Sequence, residues 1–581
     1  MSSIVRGAGS GPDNGIANNR VVVLFFVFLL FIALIGYRIT AVQVVRSGEL
    51  EEVARAERTD SESVPARRGE IFDARGQRLA TNMPATRLSA VLAEIQDKAA
   101  FAAAIAPLID RSAEDVLAAL EQPGAAWVVL ARRLNPEVTE RIRALGLAGV
   151  FLDPEPSRVY PFGELASHVL GFTTYDMAGA YGLEGEYDAV VGGSAGTLVA
   201  ELDGSGNIIG ISPSRFAPPI DGSDLVLTID SAVQYIIEDV LEKTIAAQGA
   251  EGGTIIVQDP RTGAILGMAS RPAYDPNAFV AVDDASVFLN PAISFVYEPG
   301  STFKSIVMAI GLDDGVVTPD TIHNDAPGYV EVPGFPPITN NNGRVWGDET
   351  MWNVLEHSTN LGAIFVAERI GRDRFYQRLT DFGIGMPTGV DLQGEEAGIL
   401  TLPFTDGWND VLFYTNAFGQ GVAVTPLQLT NAVSAIVNGG RLMQPYVVAQ
   451  VRHADGTTES HQPVVVRNVI SERTSEQMRL MLESVVVNGT GTYAAVAGYR
   501  IGAKTGTAQV PSPDGGYIED ATIASIVGFA PVEDPRFTVL VKIDWPKESP
   551  WGETVGGPAL AEVFARLFDL YGIAPSRPVE E

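Results

Sequence analysis

Ser301 and Lys304 stand three residues apart in the stretch Glu298-Pro-Gly-Ser301-Thr-Phe-Lys304. On a helix that spacing places a hydroxyl and an amine on one face, about one turn apart. Pro299 and Gly300 break the chain just before them, so Ser301 lies where a helix can begin. A neutral lysine amine one turn from a serine can accept the hydroxyl proton and turn the oxygen into a nucleophile for acyl transfer. Such a lysine needs a lowered pKa, which burial and a nearby cation favour. The apolar run at residues 306–312 predicts that this helix is buried. Taken alone, a serine three residues before a lysine is equally a helix cap beside a solvated lysine.

Two later segments change that balance. Ser358-Thr359-Asn360 precedes an apolar helical run, and Lys504-Thr505-Gly506-Thr507 lies on a strand-like segment. Other nucleophile chemistries fit less well. The chain has no cysteine, and its five histidines, His168, His323, His357, His453 and His461, show no metalloprotease or zinc spacing. No G-x-S-x-G elbow is present. His357 adjoins Ser358, but neighbours on a helix point apart, so His357 is expected to be structural.

The elements that must position these residues follow from patterning. Residues 254–270 read as two antiparallel strands around a turn at residues 260–263, and a second pair is expected at 524–530 and 537–544. Helices are expected at 97–108, 112–121, 231–247 and 558–571. A sheet built from both ends of the domain, with helices between, is therefore an α/β (α+β) arrangement. The turn-rich stretch at residues 212–224 places the main boundary, which gives domains at 38–225 and 226–574 and a tail at 575–581. Residues 21–37 carry no charge and would span about 25 Å as a helix, which Arg20 and Arg38 can extend by snorkelling. An uncleaved anchor at 21–37 behind a short tail at 1–20 is the expectation, and residues 39–58 read as its helical continuation.

With 581 residues and 46% hydrophobic content the chain can form more than one core. Its 40 basic and 71 acidic residues give a formal charge of -31, which opposes nucleic-acid binding.

Together these motifs resemble those of the class B penicillin-binding proteins, the monofunctional peptidoglycan transpeptidases of cell elongation or division. The set S-x-x-K, S-x-N and K-T-G is shared with class A β-lactamases. Further resemblance lies in Arg67-Arg68-Gly69-Glu70-Ile71-Phe72-Asp73 with Gly76, at residues 181–188 (YGLEGEYD), at residues 227–230 (LTID) and at residues 419–429 (GQGVAVTPLQL). The resemblance implies a penicillin-binding, β-lactamase-like transpeptidase domain with an antiparallel sheet flanked by helices, carried on an elongated pedestal module and one transmembrane helix. Arg68 and Asp73 are then expected to hold the pedestal together.

In this setting Ser301 is the expected nucleophile and Lys304 its base. Ser358 can relay a proton between Lys304 and a leaving amine, and Asn360 can hold Lys304 and the substrate backbone. Lys504 supplies a positive field that depresses Lys304 and attracts a substrate carboxylate. Thr505 and Thr507 offer hydroxyls to that carboxylate, and Gly506 leaves room for the substrate strand. The resemblance further implies an oxyanion hole made by the amides of Ser301 and Thr507. It implies peptidoglycan stem peptides and β-lactams as ligands, a polytopic membrane glycosyltransferase as partner, and no metal or organic cofactor. The location implied is a single-pass plasma-membrane protein with its catalytic domain outside. A β-lactamase or D,D-carboxypeptidase, and a non-catalytic scaffold or antibiotic sensor, are the competing readings.

Overall fold

The computed structural model describes residues 14–49, 59–201, 215–512 and 516–577. It divides into two compact units, one of residues 1–66 with 194–220 and one of residues 67–193 with 221–581. In the first, the helix Asn14–Thr40 carries the apolar run with its side chains exposed, and a π-helical turn continues it over Ala41–Val45. It is the one helix among the described residues long and apolar enough to cross a membrane, and it fits a single-pass anchor. The rest of the continuation expected to residue 58 lies largely outside the described residues, as do most of the tail at 1–20 and part of the stretch at 212–224. This unit also holds an antiparallel sheet of Thr59–Val64, Gly196–Glu201 and Arg215–Ala217.

The centre of the second unit is a five-stranded antiparallel sheet in the order Ile265–Arg271, Gly252–Gln258, Phe537–Asp544, Tyr517–Ala530, Gly502–Pro511. The hairpin expected around residues 254–270 is present, with Thr254 opposite Ser270. Successive strand residues face opposite sides. Ile255, Val257, Val539 and Val541 enter one core with the helices Ser231–Gln248 and Gly552–Tyr571. Ile256, Leu540, Val527 and Phe529 enter the other, with the fully buried helix Pro426–Val437. Because both faces are covered, these strands are apolar almost throughout rather than alternating.

The last helix begins at Gly552, six residues before the start expected from Pro558. Proline is favoured in a first turn, but here it lies inside the helix. The earlier start is possible because Gly552 packs where any side chain would strike the carbonyls of Gly506 and Ser525.

A seven-stranded mixed sheet lies in the same unit, and Asp224–Leu227 is interior to it. That strand runs parallel to Ile71–Phe72 and antiparallel to Val448–Arg452. The strand Asp224–Leu227 thus stands where the turn-rich stretch ends, paired on both sides. Nearby, Arg68 donates to Glu184 at 2.7 Å and Asp188 at 2.6 Å, and Arg158 donates to the other oxygen of Glu184 at 2.7 Å. Asp73 accepts from the amides of Arg75 and Gln77 and from Ser231 Oγ at 2.6 Å. Arg68 and Asp73 therefore hold structure together.

Candidate active site

Gly300 has φ +54°, a left-handed backbone that suits glycine, and it opens a 3-10 turn over Gly300–Phe303 that runs into the helix Lys304–Asp313. Ser301 sits half-buried on this turn, while Lys304 is 1% exposed. The turn is braced from behind. Gly300 N donates to Gly419 O at 3.0 Å, and Glu298 accepts from Gly421 N at 2.8 Å and Tyr517 Oη at 3.1 Å. Burial raises the pKa of the Glu298 carboxyl. The sequence motifs did not point to Glu298 or Tyr517 as members of the site, since neither contact has a spacing signature.

Ser358 lies between the helices Met351–Glu356 and Asn360–Ile370 with φ +58°, unusual for a residue with a Cβ. Lys304 holds it there by donating from Nζ to the Ser358 carbonyl at 2.6 Å and to Asn360 Oδ1 at 2.8 Å. A longer contact of 3.5 Å reaches Ser358 Oγ. Asn360 Nδ2 donates to Thr339 O at 3.0 Å, so the amide expected to face substrate is partly engaged within the protein.

Lys504, 1% exposed on the edge strand Gly502–Pro511, donates to Ser358 Oγ at 2.9 Å. This strand packs against the Ser301 turn. A Cβ on Gly506 would lie 2.8 Å from Pro299 O and 2.9 Å from Thr302 Cγ2, and one on Gly300 would lie 2.9 Å from Thr507 O. The room at Gly506 is thus taken by the nucleophile turn itself. Thr505 Oγ1 pairs with Thr490 Oγ1 at 2.9 Å, and Thr507 Oγ1 accepts from Gly552 N at 3.1 Å, which leaves the Thr507 proton free to donate. The structure thereby brings Ser301, Lys304, Ser358, Asn360 and Lys504 into one place, with Thr505, Gly506 and Thr507 along its edge.

Electrostatics follow from this packing. Burial, and then the neighbouring charge of Lys504, hold Lys304 well below the usual lysine range, with Glu349 opposing. Burial lowers Lys504 to about 7, against the pull of Glu553. Two lysines this close do not both stay charged. Burial depresses both amines, Lys304 further than Lys504, so Lys304 is the first to lose its proton.

His357 is braced rather than poised. Its Nδ1 donates to Glu349 Oε1 at 2.8 Å, its ring stacks on Trp346 at 3.5 Å, and Arg344 covers Trp346 at 3.5 Å. Glu349 is a buried carboxylate close to Lys304, and no motif marked it. A cavity of about 340 Å³ opens beside Ser358, walled by Asn340, Arg344, His357, Thr490 and Glu553 among others.

Known proteins share both sequence and architecture with this chain. The penicillin binding protein transpeptidase domain matches residues 253–569, and the penicillin-binding protein dimerisation domain matches residues 63–227. Stage V sporulation protein D of Bacillus subtilis is 36% identical over 565 residues, covering 96% of this chain and 86% of that protein. The peptidoglycan D,D-transpeptidase FtsI of Escherichia coli is 30% identical over 555 residues, covering 94% and 90%. A peptidoglycan synthetase structure from Bifidobacterium adolescentis superposes with a TM-score of 0.71 at 28% identity, over 90% of this chain and 99% of that one. Penicillin binding protein 3 from Mycobacterium tuberculosis, solved with aztreonam, gives a TM-score of 0.69 at 26% identity, over 89% and 99%. With the three motifs assembled around one serine and both domains matched, the chain belongs to the class B penicillin-binding proteins, the family of transpeptidases that carry a dimerisation domain.

Proposed function

We propose that this protein is a membrane-anchored peptidoglycan D,D-transpeptidase in which Ser301 carries the acyl group. The observation that supports this most directly is the shared Ser358 hydroxyl, contacted by Lys304 and Lys504 beside the Ser301 turn. Ser301 Oγ attacks the carbonyl between the two terminal D-alanines of a stem peptide and passes its proton to neutral Lys304. The amides of Ser301 and Thr507 hold the oxyanion. Lys304 returns the proton through Ser358 Oγ to the leaving nitrogen, the C–N bond breaks, and terminal D-alanine departs. Charged Lys504 and Thr507 Oγ attract the carboxylate of that D-alanine. An amine on a second stem then takes the acyl group and frees Ser301. β-Lactams acylate the same oxygen.

In this reading residues 226–574 perform the chemistry and residues 38–225 form its pedestal. The substrate lies outside the plasma membrane, so the bulk of the chain lies there too, behind one span. A polytopic membrane glycosyltransferase that polymerises the glycan is the proposed partner. The test is labelling of the detergent-solubilised full chain with a fluorescent penicillin. Stable label on the unaltered protein and none on Ser301→Ala is expected. Label persisting on Ser301→Ala overturns the site, no label at all overturns the function, and rapid release of label marks a β-lactamase.

A further inference from the structure

One carboxylate on the wall of the cavity beside Ser358 feels the charge of Lys504 without contacting it. Glu553, in the first turn of the helix Gly552–Tyr571, is half-buried on the cavity wall, and among the described residues it has no hydrogen-bond or ion-pair partner for its side chain. Among the described residues, the other charged groups around it have hydrogen-bond partners, except that the Arg344 guanidinium makes only a ring contact. Glu356 accepts from Asn353 Nδ2 at 2.9 Å and from Ser484 Oγ. Arg344 lies over Trp346, His357 donates to Glu349, and Lys504 donates to Ser358 Oγ and to Thr505 O at 3.1 Å.

We propose that Glu553 receives the acceptor amine as an ammonium ion in this cavity and takes its first proton. This rests on the transpeptidase reading above. A half-buried carboxylate with no direct contact is poorly solvated, and the charge of Lys504 offsets only part of that loss, so an arriving ammonium restores what burial removed. Burial, with the charge of Lys504 opposing, also raises the pKa of Glu553, which makes its carboxylate a better proton acceptor. The cavity includes Ser358, whose hydroxyl Lys304 and Lys504 share, so an amine held there lies beside the proton relay.

The proton balance closes. The ammonium gives one proton to a Glu553 carboxylate oxygen and becomes a neutral amine. Its nitrogen attacks the ester carbonyl carbon on Ser301, the new C–N bond forms, and the C–O bond to Ser301 breaks. The second amine proton reaches Ser301 Oγ through Lys304. Glu553 returns its proton to solvent.

The experiment uses the solubilised full chain with an N-acyl-D-alanyl thioester as donor and two nucleophiles at neutral pH, a D-amino-acid amide that is mainly cationic and hydroxylamine, which is mainly uncharged. In Glu553→Gln the ratio of transfer to hydrolysis is expected to fall about 10²-fold for the cationic amine, the lower range of general-base effects. The hydroxylamine ratio is expected to hold, and Glu553→Asp to recover part of the loss. No loss, or equal loss with both nucleophiles, overturns the proposal. A measurement on the unaltered protein covers the case in which the variants do not fold. There transfer to the cationic amine saturates with concentration and transfer to hydroxylamine stays linear, and a linear response to both overturns the proposal. Absence of any acyl-enzyme before acceptor is added overturns the transpeptidase reading itself, and this inference with it.

Discussion

Lys504 donates from Nζ to Ser358 Oγ at 2.9 Å, joining the edge strand of the sheet to the turn between two helices. Lys304 reaches the same oxygen at 3.5 Å from the opposite element. Removing that oxygen should disconnect the relay while leaving the nucleophile and base in place. Ser358→Ala is expected to lower the rate of penicillin acylation by about 10²-fold or more, within the range of general acid–base contributions. Stopped-flow acylation kinetics measure this, and an unchanged rate would remove Ser358 from the mechanism.

Acylation should depend on pH in a defined direction. Lys504 titrates at about 7, so its charge is present below that pH and is lost above it. Lys304, pushed well down by burial and by Lys504, must be neutral to accept the Ser301 proton. The acylation rate is therefore expected to fall as pH rises through the Lys504 transition, and to fall again on the acid side as Lys304 gains a proton. Lys504→Arg, whose guanidinium stays charged across the range, should abolish the alkaline limb even if the rate drops. An alkaline limb that survives in this variant would assign it to another group.

At Gly506 the methyl of Gly506→Ala would press on Pro299 O, Ser525 Oγ and Thr302 Cγ2, all within 2.9 Å. Thr302 belongs to the turn that carries Ser301, and Pro299 directly precedes it. Overpacking costs about 1–3 kcal/mol, and here the displacement falls on the nucleophile. Loss of penicillin labelling with only a modest fall in the thermal unfolding midpoint is the expected pairing, read by labelling and by circular dichroism. Full labelling in a folded variant would show that the turn tolerates the shift.

Far from the nucleophile in the chain, Arg68, Arg158 and Glu184 form a buried cluster whose side chains are at most 2% exposed. Glu184→Gln leaves Arg158 without a carboxylate and Arg68 with Asp188 alone. Breaking such a buried pair costs about 3–5 kcal/mol. The urea midpoint should move down by a matching amount, and penicillin labelling of the protein that remains folded should persist. A midpoint equal to that of the unaltered protein would show that the cluster contributes nothing net.

Much of the site is legible in the sequence. Ser301 with Lys304 is a local pattern, set by the helical repeat, and Lys504 to Thr507 lies on the strand where alternation put it. Ser358 and His357 were also separable in advance, and the structure shows His357 bound to Glu349 and stacked on Trp346. Less legible were Glu298, Tyr517, Glu349 and Glu553. The first three make contacts that only folding creates, and Glu553 reaches its cavity wall the same way, with no fixed spacing along the chain. The groups around Gly506 and Asn360 are not legible in the sequence, because they come from Pro299, Thr302 and Thr339.

The sequence by itself determined the chemistry available. It set a serine and a lysine one turn apart, a second hydroxyl and amide, a lysine on a strand, an apolar span and a strongly acidic whole. These follow from residue type and local periodicity, which short stretches of chain carry unaided. Tertiary structure alone decided that Lys304 and Lys504 meet at one hydroxyl, that Ser358 takes a left-handed backbone, and that Glu553 faces a cavity. The physical reason is that burial and proximity set the protonation of a lysine, and both are properties of the packed core, not of the neighbours in sequence.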